Sequence, residues 1–281
     1  MSSDRKYIKL KYRIAWYIGT VLSFLLYFLG IIPLYIHFRR RYLKHPIAVV
    51  LMYHRVGDDS DESDITVSIK NFECQMAYLA ENFKIVSIDE IMDLYARKSQ
   101  LKADTVTITF DDGYKDNYLN AYPVLKKYNI PATIFITTGY VGQSDRLSKN
   151  EIVEMRNDII GFGAHTVTHR VLAKLDRQSA VGEITDSMSD LEKILQEKIK
   201  YFAYPYGLRG RDFTDESMQI VKEAGFAAAF STNNGYINSS CDIYALKRIG
   251  MRDFPLFVFK ARLSGIFENK CLYKLRSIFK L

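Results

Sequence analysis

The sequence has few of the residues that staple a small fold. Only three of its 281 residues are cysteine (Cys74, Cys241, Cys271), with no close pair and no metal-type spacing. That sparse, odd set gives no disulfide framework, and the three read as small buried hydrophobes or surface thiols. Proline is limited to six residues and histidine to five. There is no internal repeat and no low-complexity tract, and with 48% hydrophobic and 25% charged residues the chain is neither fibrous nor disordered. Acidic residues are scarce at both ends. Residues 1–44 hold nine Lys/Arg and one acid, and residues 260–281 hold six and one. The formal charge of +7 therefore sits in the ends, and the middle, with a net charge of −6, is mildly acidic. Nucleic-acid binding by the middle is not expected on that balance.

The longest run without Asp, Glu, Lys or Arg is Ile14 to Phe38. About 20 apolar residues suffice to cross a bilayer core. Trp16, Tyr17 and Tyr35 lie near its ends, where aromatic belts form. A cleaved signal peptide fits less well, because the run is long and Arg39, Arg40 and Arg41 follow it instead of small residues. The run predicts one transmembrane helix, a single-pass anchor. Five cations before it and four after it lean toward a cytoplasmic N-terminus, with the following domain extracytoplasmic. At the other end, Leu263, Phe267, Leu275 and Phe279 recur at helical spacing among six cations. This reads either as a basic amphipathic helix on anionic lipid or as a helix packed on the domain. Lipid contact through that tail would favour the cytoplasmic face, against the lean of the N-terminus. The expected division is an anchor over 1–45, a domain over 46–258 and a basic tail over 259–281.

Between the ends, strand-like and helix-like segments alternate. AVVLMY (48–53), TVTITF (105–110), ATIFITT, IIGFG, KYFAYP, AAAFST and ALKRIGM read as strands. NFECQMAYLAEN (71–82), the segment 89–98, YLNAYPVLKKYN, KNEIVEMRN, SAVGEITDSMSDLEKILQEKI and DESMQIVKEAG read as helices. Such a β-then-α succession predicts a parallel α/β architecture, a (β/α) barrel or, as the alternative, a doubly wound open sheet.

Three motifs fall just past predicted strands, where an α/β barrel places its catalytic groups. TVTITF runs into Asp111-Asp112-Gly113, and adjacent carboxylates tend to diverge in pKa and role. Alone, that tripeptide is an ordinary turn. IIGFGAHTVTH places His165 and His169 after another strand, four residues apart. If that segment is helical, both imidazoles share one face. With one carboxylate they make a three-ligand site for Zn²⁺ or a similar metal. YFAYPYG (201–207) supplies a tight turn able to aim backbone N–H groups at an oxyanion.

Each motif alone is weak. Together, in this order and spacing, TFDDG, HTVTH and YPYG resemble the polysaccharide deacetylase family (NodB homology, carbohydrate esterase family four) over about residues 46–255. The resemblance implies a distorted (β/α) barrel and hydrolysis of an N-acetyl group. It makes Asp111 the general base, Asp112, His165 and His169 the metal ligands, and the Tyr206 N–H an oxyanion donor. The metal is expected to be Zn, with Co, Ni or Fe also accepted by such ligands.

The chain departs from the common pattern twice. Ala203 stands where the family often has an Arg that pairs with the base, and no histidine follows His169 to act as general acid. LMYHRV (51–56) puts His54 at the end of the first strand, which resembles the permuted poly-N-acetylglucosamine deacetylases, and Arg248 in LKRIGM is a candidate replacement for the missing Arg. The partners implied are an N-acetylated glycan and membrane lipid. Two other classes compete: an inactive member that binds glycan or scaffolds an envelope complex, and a non-haem iron oxygenase. The oxygenase shares the two-His-one-carboxylate set, but it gives the second Asp no role.

Overall fold

The computed structural model describes residues 18–43, 46–58, 65–96, 101–156, 158–238 and 240–266. Two compact units divide the chain: Ile47–Asp253, and a smaller one that joins Met1–Pro46 to Phe254–Leu281.

Among the described residues of the larger unit, ten strands follow the chain: β1 (Ala48–Tyr53), β2 (Arg55–Val56), β3 (Thr66–Val67), β4 (Lys84–Ile85), β5 (Thr105–Phe110), β6 (Ala132–Ile136), β7 (Ile160–Ala164), β8 (Tyr201–Ala203), β9 (Ala228–Phe230) and β10 (Ile249–Gly250). Eight of them form one sheet in the order β10-β1-β5-β6-β7-β8-β9, with β4 against the start of β5, and all its ladders are parallel. Every residue of β1 and of β5 is buried. Helices on the outside and side chains on the inside explain the near-continuous apolar runs of these strands. The sheet curls into the half-barrel form of the α/β class. Before β10 the chain runs beside β9: Leu246 N–H donates to Ala229 O, Ser231 N–H to Leu246 O and Arg248 N–H to Asn233 O. The segment expected as a strand at ALKRIGM thus serves both edges of the sheet, and only two of its residues form a ladder with β1. The two-residue pair β2 and β3 was not foreseen.

Numbered along the chain after α1 (Ile18–Phe28) and α2 (Ile31–Phe38) of the smaller unit, most helices of the larger unit begin where polar caps satisfy their first N–H groups. Ser68 caps α3 (Ile69–Asn82), and Ser87 with Glu90 form a reciprocal pair opening α4 (Ile88–Ala96). Then follow α5 (Tyr122–Lys127), α6 (Lys149–Arg156), α7 (Arg177–Leu195), capped by Asp176, and α8 (Asp215–Glu223), with Thr214 and Ser217 as a capping box. Because every main ladder is parallel, the strands' C-terminal ends share one rim. His54, Asp111, His165 and Tyr206 lie on it.

The smaller unit departs from the single anchor helix expected over 14–38. Residues 14–17 lie outside the described residues. The remainder forms two helices, Ile18–Phe28 and Ile31–Leu43, bent by 69°. Gly30 at the break has φ 75, a left-handed conformation that glycine adopts at little cost, and Pro33 follows in the first turn of the second helix. No single helix among the described residues is long and apolar enough to cross a membrane, although the bent pair passes that test together. A further helix, Leu256–Leu263, packs on the pair: Phe257 lies 5.7 Å from Phe24 and 6.1 Å from Phe28, centroid to centroid. Those contacts place Phe254–Leu263 with the N-terminal segment, and so the larger unit ends at Asp253, short of the expected 258. Phe267, Leu275 and Phe279 of the expected tail lie outside the described residues.

Candidate active site

Past the end of β5 the backbone turns sharply. Asp112 has φ 74 and Gly113 φ 69. At Gly113 an added Cβ would stand 2.8 Å from the Cδ1 of Ile136, so the Asp-Asp-Gly turn needs its glycine. A non-glycine residue in that region costs about 1–3 kcal/mol, which the surroundings must impose. Part of the restraint comes from the loop after β6: Leu147 N–H donates to Gly113 O, Lys115 N–H to Asp145 O, and Arg146 Nη1 to Asp112 O at 3.3 Å.

The turn sends its two carboxylates to different partners. Asp111 is 1% exposed and meets Arg248, 0% exposed, in a bidentate pair with both N···O distances 2.7 Å. Arg248 also donates from Nε to Ser231 O and from Nη1 to Thr109 Oγ1. Burial alone would raise the Asp111 pKa; the Arg248 guanidinium, then the His165 and His54 charges, hold it below the ordinary value. Ala203, where the common pattern has its Arg, is buried beside Phe135 and Phe230. The guanidinium expected there arrives instead from residue 248, over the Phe135 ring at 5.5 Å.

Asp112 faces the two histidines. Its Oδ1 lies 3.3 Å from His165 Nε2 and 3.0 Å from His169 Nε2. The three side chains form a cluster able to hold a metal ion, with one ligand atom each and those atoms within 4.8 Å of one another. His165 Nδ1 lies 2.7 Å from Ala203 O, and a carbonyl can only accept. The Nδ1 proton is thereby fixed, and the Nε2 lone pair is turned toward Asp112. Asp112 Oδ1 is buried and receives no hydrogen bond. A buried carboxylate oxygen that receives no hydrogen bond and faces the His165 lone pair and the His169 Nε2 suits a cation held among them, so these residues fit a divalent metal. Burial would raise the Asp112 pKa, but the adjacent His165 and His169 imidazoles, together with the charge of His54, hold it well below the ordinary value. His165 moves the other way: burial would lower it, and Asp112 and Asp111 raise it.

The His-x-x-x-His segment is not the helix that would put its imidazoles on one face. Thr166 has φ 65 and His169 φ 56, and His169 N–H donates to Thr166 Oγ1. A residue that the sequence reading missed holds this loop. Glu183 of α7, 9% exposed, accepts from Val167 N at 2.9 Å, from Thr168 N at 2.8 Å and from the Thr168 hydroxyl. The signal was available. Ala180, Ile184, Ser187 and Leu191 are the buried stripe of α7, and an acid sharing that stripe has to find donors.

His54 stands where the charges of Asp111, Asp112, Arg248 and His165 all reach it. Burial lowers its pKa, the two aspartates pull it up, and the net shift is downward. Its imidazole makes no hydrogen bond among the described residues, while its carbonyl accepts from Asn117 Nδ2 at 2.7 Å. In the third motif, Tyr206 has φ 60 and its ring lies 4.9 Å from that of His169. Its N–H donates to no protein acceptor among the described residues, and its carbonyl accepts from Thr232 Oγ1. Asp111, Asp112, His165, His169, His54, Arg248 and Tyr206 all therefore come to one rim.

The family model for polysaccharide deacetylase matches residues 98–229. A poly-beta-1,6-N-acetyl-D-glucosamine N-deacetylase of Staphylococcus aureus is 30% identical over 238 residues, covering 75% of this chain and 80% of that protein. The chain belongs to the polysaccharide deacetylase family. Among solved structures of similar proteins, the Streptococcus pyogenes deacetylase PplD in complex with acetate has a TM-score of 0.69 at 27% identity, over 74% of this chain and 93% of that one. IcaB from Ammonifex degensii also has a TM-score of 0.69 at 27% identity, over 78% of this chain and 97% of that one. Family membership accounts for the half-barrel and for the order of the motifs. In this chain the guanidinium that pairs with Asp111 comes from Arg248.

Proposed function

We propose that the chain is a metal-dependent hydrolase that removes the N-acetyl group from N-acetylhexosamine units of a cell-envelope polysaccharide or lipid-linked glycan, held at a membrane by its N-terminal segment. The observation that carries this reading is the separation of the two adjacent aspartates. One is locked to a buried guanidinium, and the other is packed against two imidazole Nε2 atoms. Asp112, His165 and His169 would hold the metal, Zn²⁺ or one of similar preference. Bound there, it supplies Lewis-acid polarisation of the acetyl carbonyl and lowers the pKa of water. Asp111, kept ionised by Arg248, takes the proton from the attacking water. The Tyr206 N–H donates to the developing oxyanion. His54, whose ring makes no hydrogen bond among the described residues, delivers a proton to the leaving sugar amine. The inactive-member alternative has less support, because the ligands, the base and its partner are all in place.

The test is acetate release from N-acetylglucosamine oligomers by the full-length protein in detergent, after chelation and after add-back of Zn²⁺ or Co²⁺. Release should depend on metal. In Asp111→Asn it should fall by about 10²–10⁴ with metal content retained. Equal release from Asp111→Asn, or from chelated protein, would overturn the reading.

A further inference from the structure

We propose that the smaller unit is an in-plane anchor, seated in one leaflet of a lipid bilayer, with both ends of the bent helix pair on the same face. This is independent of the deacetylase reading, and it replaces the single crossing expected from the sequence.

One side of the pair is apolar and exposed among the described residues. Val21, Leu25, Phe28, Leu29, Leu34 and Phe38 are each 47% exposed or more, and they follow one another at helical spacing along both arms. On the other side Ser23, Ile32 and Arg39 are buried, and the Phe257 ring of the C-terminal helix meets Phe24 and the edge of the stripe at Phe28. An exposed apolar stripe of this extent belongs against lipid or another apolar surface. Its flanks favour lipid, since Arg40 and Arg41 follow the stripe and both ends of the chain are strongly basic, the complement of anionic headgroups.

The remaining choice is between crossing the bilayer and lying in its surface. The arms are about 16 Å and 20 Å long at the helical rise, so neither alone spans a core of about 30 Å. Placed end to end across the bend they come close to that thickness, and length therefore does not decide. Charge does. Lys260 Nζ donates to Tyr27 Oη at 3.2 Å and lies 5.3 Å from that ring's centroid. Tyr27 is beside the break, midway along the pair. If the pair crossed the bilayer, that ammonium would sit near the midplane, one of the costliest places for a charge. With the pair lying in the surface, the stripe enters the acyl region, and Lys260 stays at headgroup depth along with Arg39, whose Nε donates to Ser264 O at 3.2 Å. The chain then leaves the membrane on the side from which it entered, so the N-terminus and the Ile47–Asp253 unit share one compartment.

Cysteine accessibility tests this on the full-length chain in sealed membrane vesicles of known orientation. One version keeps only the native, exposed Cys74, with Cys241→Ser and Cys271→Ser. The other replaces all three cysteines and carries Ser3→Cys. A membrane-impermeant maleimide should label both positions from the same side of the vesicle. Labelling from opposite sides would establish a crossing and overturn the proposal. A Phe28→Glu, Leu34→Glu variant should bind vesicles of phosphatidylcholine with a minority of phosphatidylglycerol at least about tenfold more weakly. Unchanged binding would overturn the role of the stripe. Because the labelling versions leave the stripe intact, a folding defect in the glutamate variant cannot rescue or sink the topology.

Discussion

At the N-terminal ends of β6 to β8 the charged groups are matched on the surface. Arg156 pairs with Glu197, Lys200 and the Tyr201 hydroxyl both reach Asp89, and Lys126 and the Tyr122 hydroxyl share Asp158. At the C-terminal ends the same residue types are sunk into the sheet and left in tension. Asp111 and Arg248 are enclosed together, and Asp112 Oδ1 and Thr138 Oγ1 are buried without a hydrogen bond. The first arrangement asks for nothing beyond the protein and water. The second leaves buried polar atoms that no described residue satisfies. This difference, more than either rim's sum of charges, marks where chemistry occurs.

The sharpest way to break the comparison is at the buried pair. Arg248→Met leaves Asp111 enclosed without its counter-charge, and should destabilise the protein by about 3–5 kcal/mol and abolish turnover. Urea unfolding and acetate release check the two effects. Arg248→Lys should not restore turnover, because a single ammonium cannot reproduce the fork. The pH dependence follows from the same pair. Because Asp111 has its pKa lowered in the folded protein, its stabilising contribution is fully present above the ordinary aspartate pKa and disappears as pH falls through the lowered one. In metal-free protein, the stability gap between wild type and Arg248→Met should thus be flat near neutrality and shrink in acid. A gap that widened in acid would contradict the assignment.

His165→Ala removes a ligand and should lose metal and turnover together; a metal-replete His165→Ala protein would refute the ligand role. Glu183→Gln is a subtler change. It keeps the shape but weakens the acceptor for Val167, Thr168 and the Thr168 hydroxyl. Metal affinity, read by chelator competition, should fall by about tenfold, with a smaller loss of stability. The smallest effect belongs to the other rim. Lys200 and Asp89 are 57% and 63% exposed in their side chains, and Lys200→Ala should cost less than about 1 kcal/mol and leave turnover unchanged. A large effect there would erase the contrast between the rims.

The extent to which this could be read from the sequence follows the physics of each element. β1 and β5 were plain, because strands covered on both faces must be apolar or β-branched throughout. Asp111, Asp112, His165 and His169 were plain because strand ends and motif order locate them. Arg248 was only a candidate, since nothing local in LKRIGM says what its side chain meets 137 residues away. Glu183 was hidden by habit: a helix rich in acids invites the view that all of them face water. The apolar run over 14–38 misled in the opposite direction. Hydropathy is a sum along the chain, and it passes over the one residue, Gly30, whose left-handed backbone divides the run in two. The non-helical path of residues 165–169 was also out of reach, being imposed by hydrogen bonds from a helix that begins eight residues later.

The origin of the Arg248 guanidinium bears on how inactive relatives are recognised. Ala203 fills the position where the common pattern carries the base's partner, and a reader who scores activity by motif letters would strike this chain from the list of enzymes. A guanidinium is nonetheless present, delivered by a different stretch of backbone, and it pairs with Asp111. What has to be preserved in such a site is an occupied location, and the chain has more than one route to it.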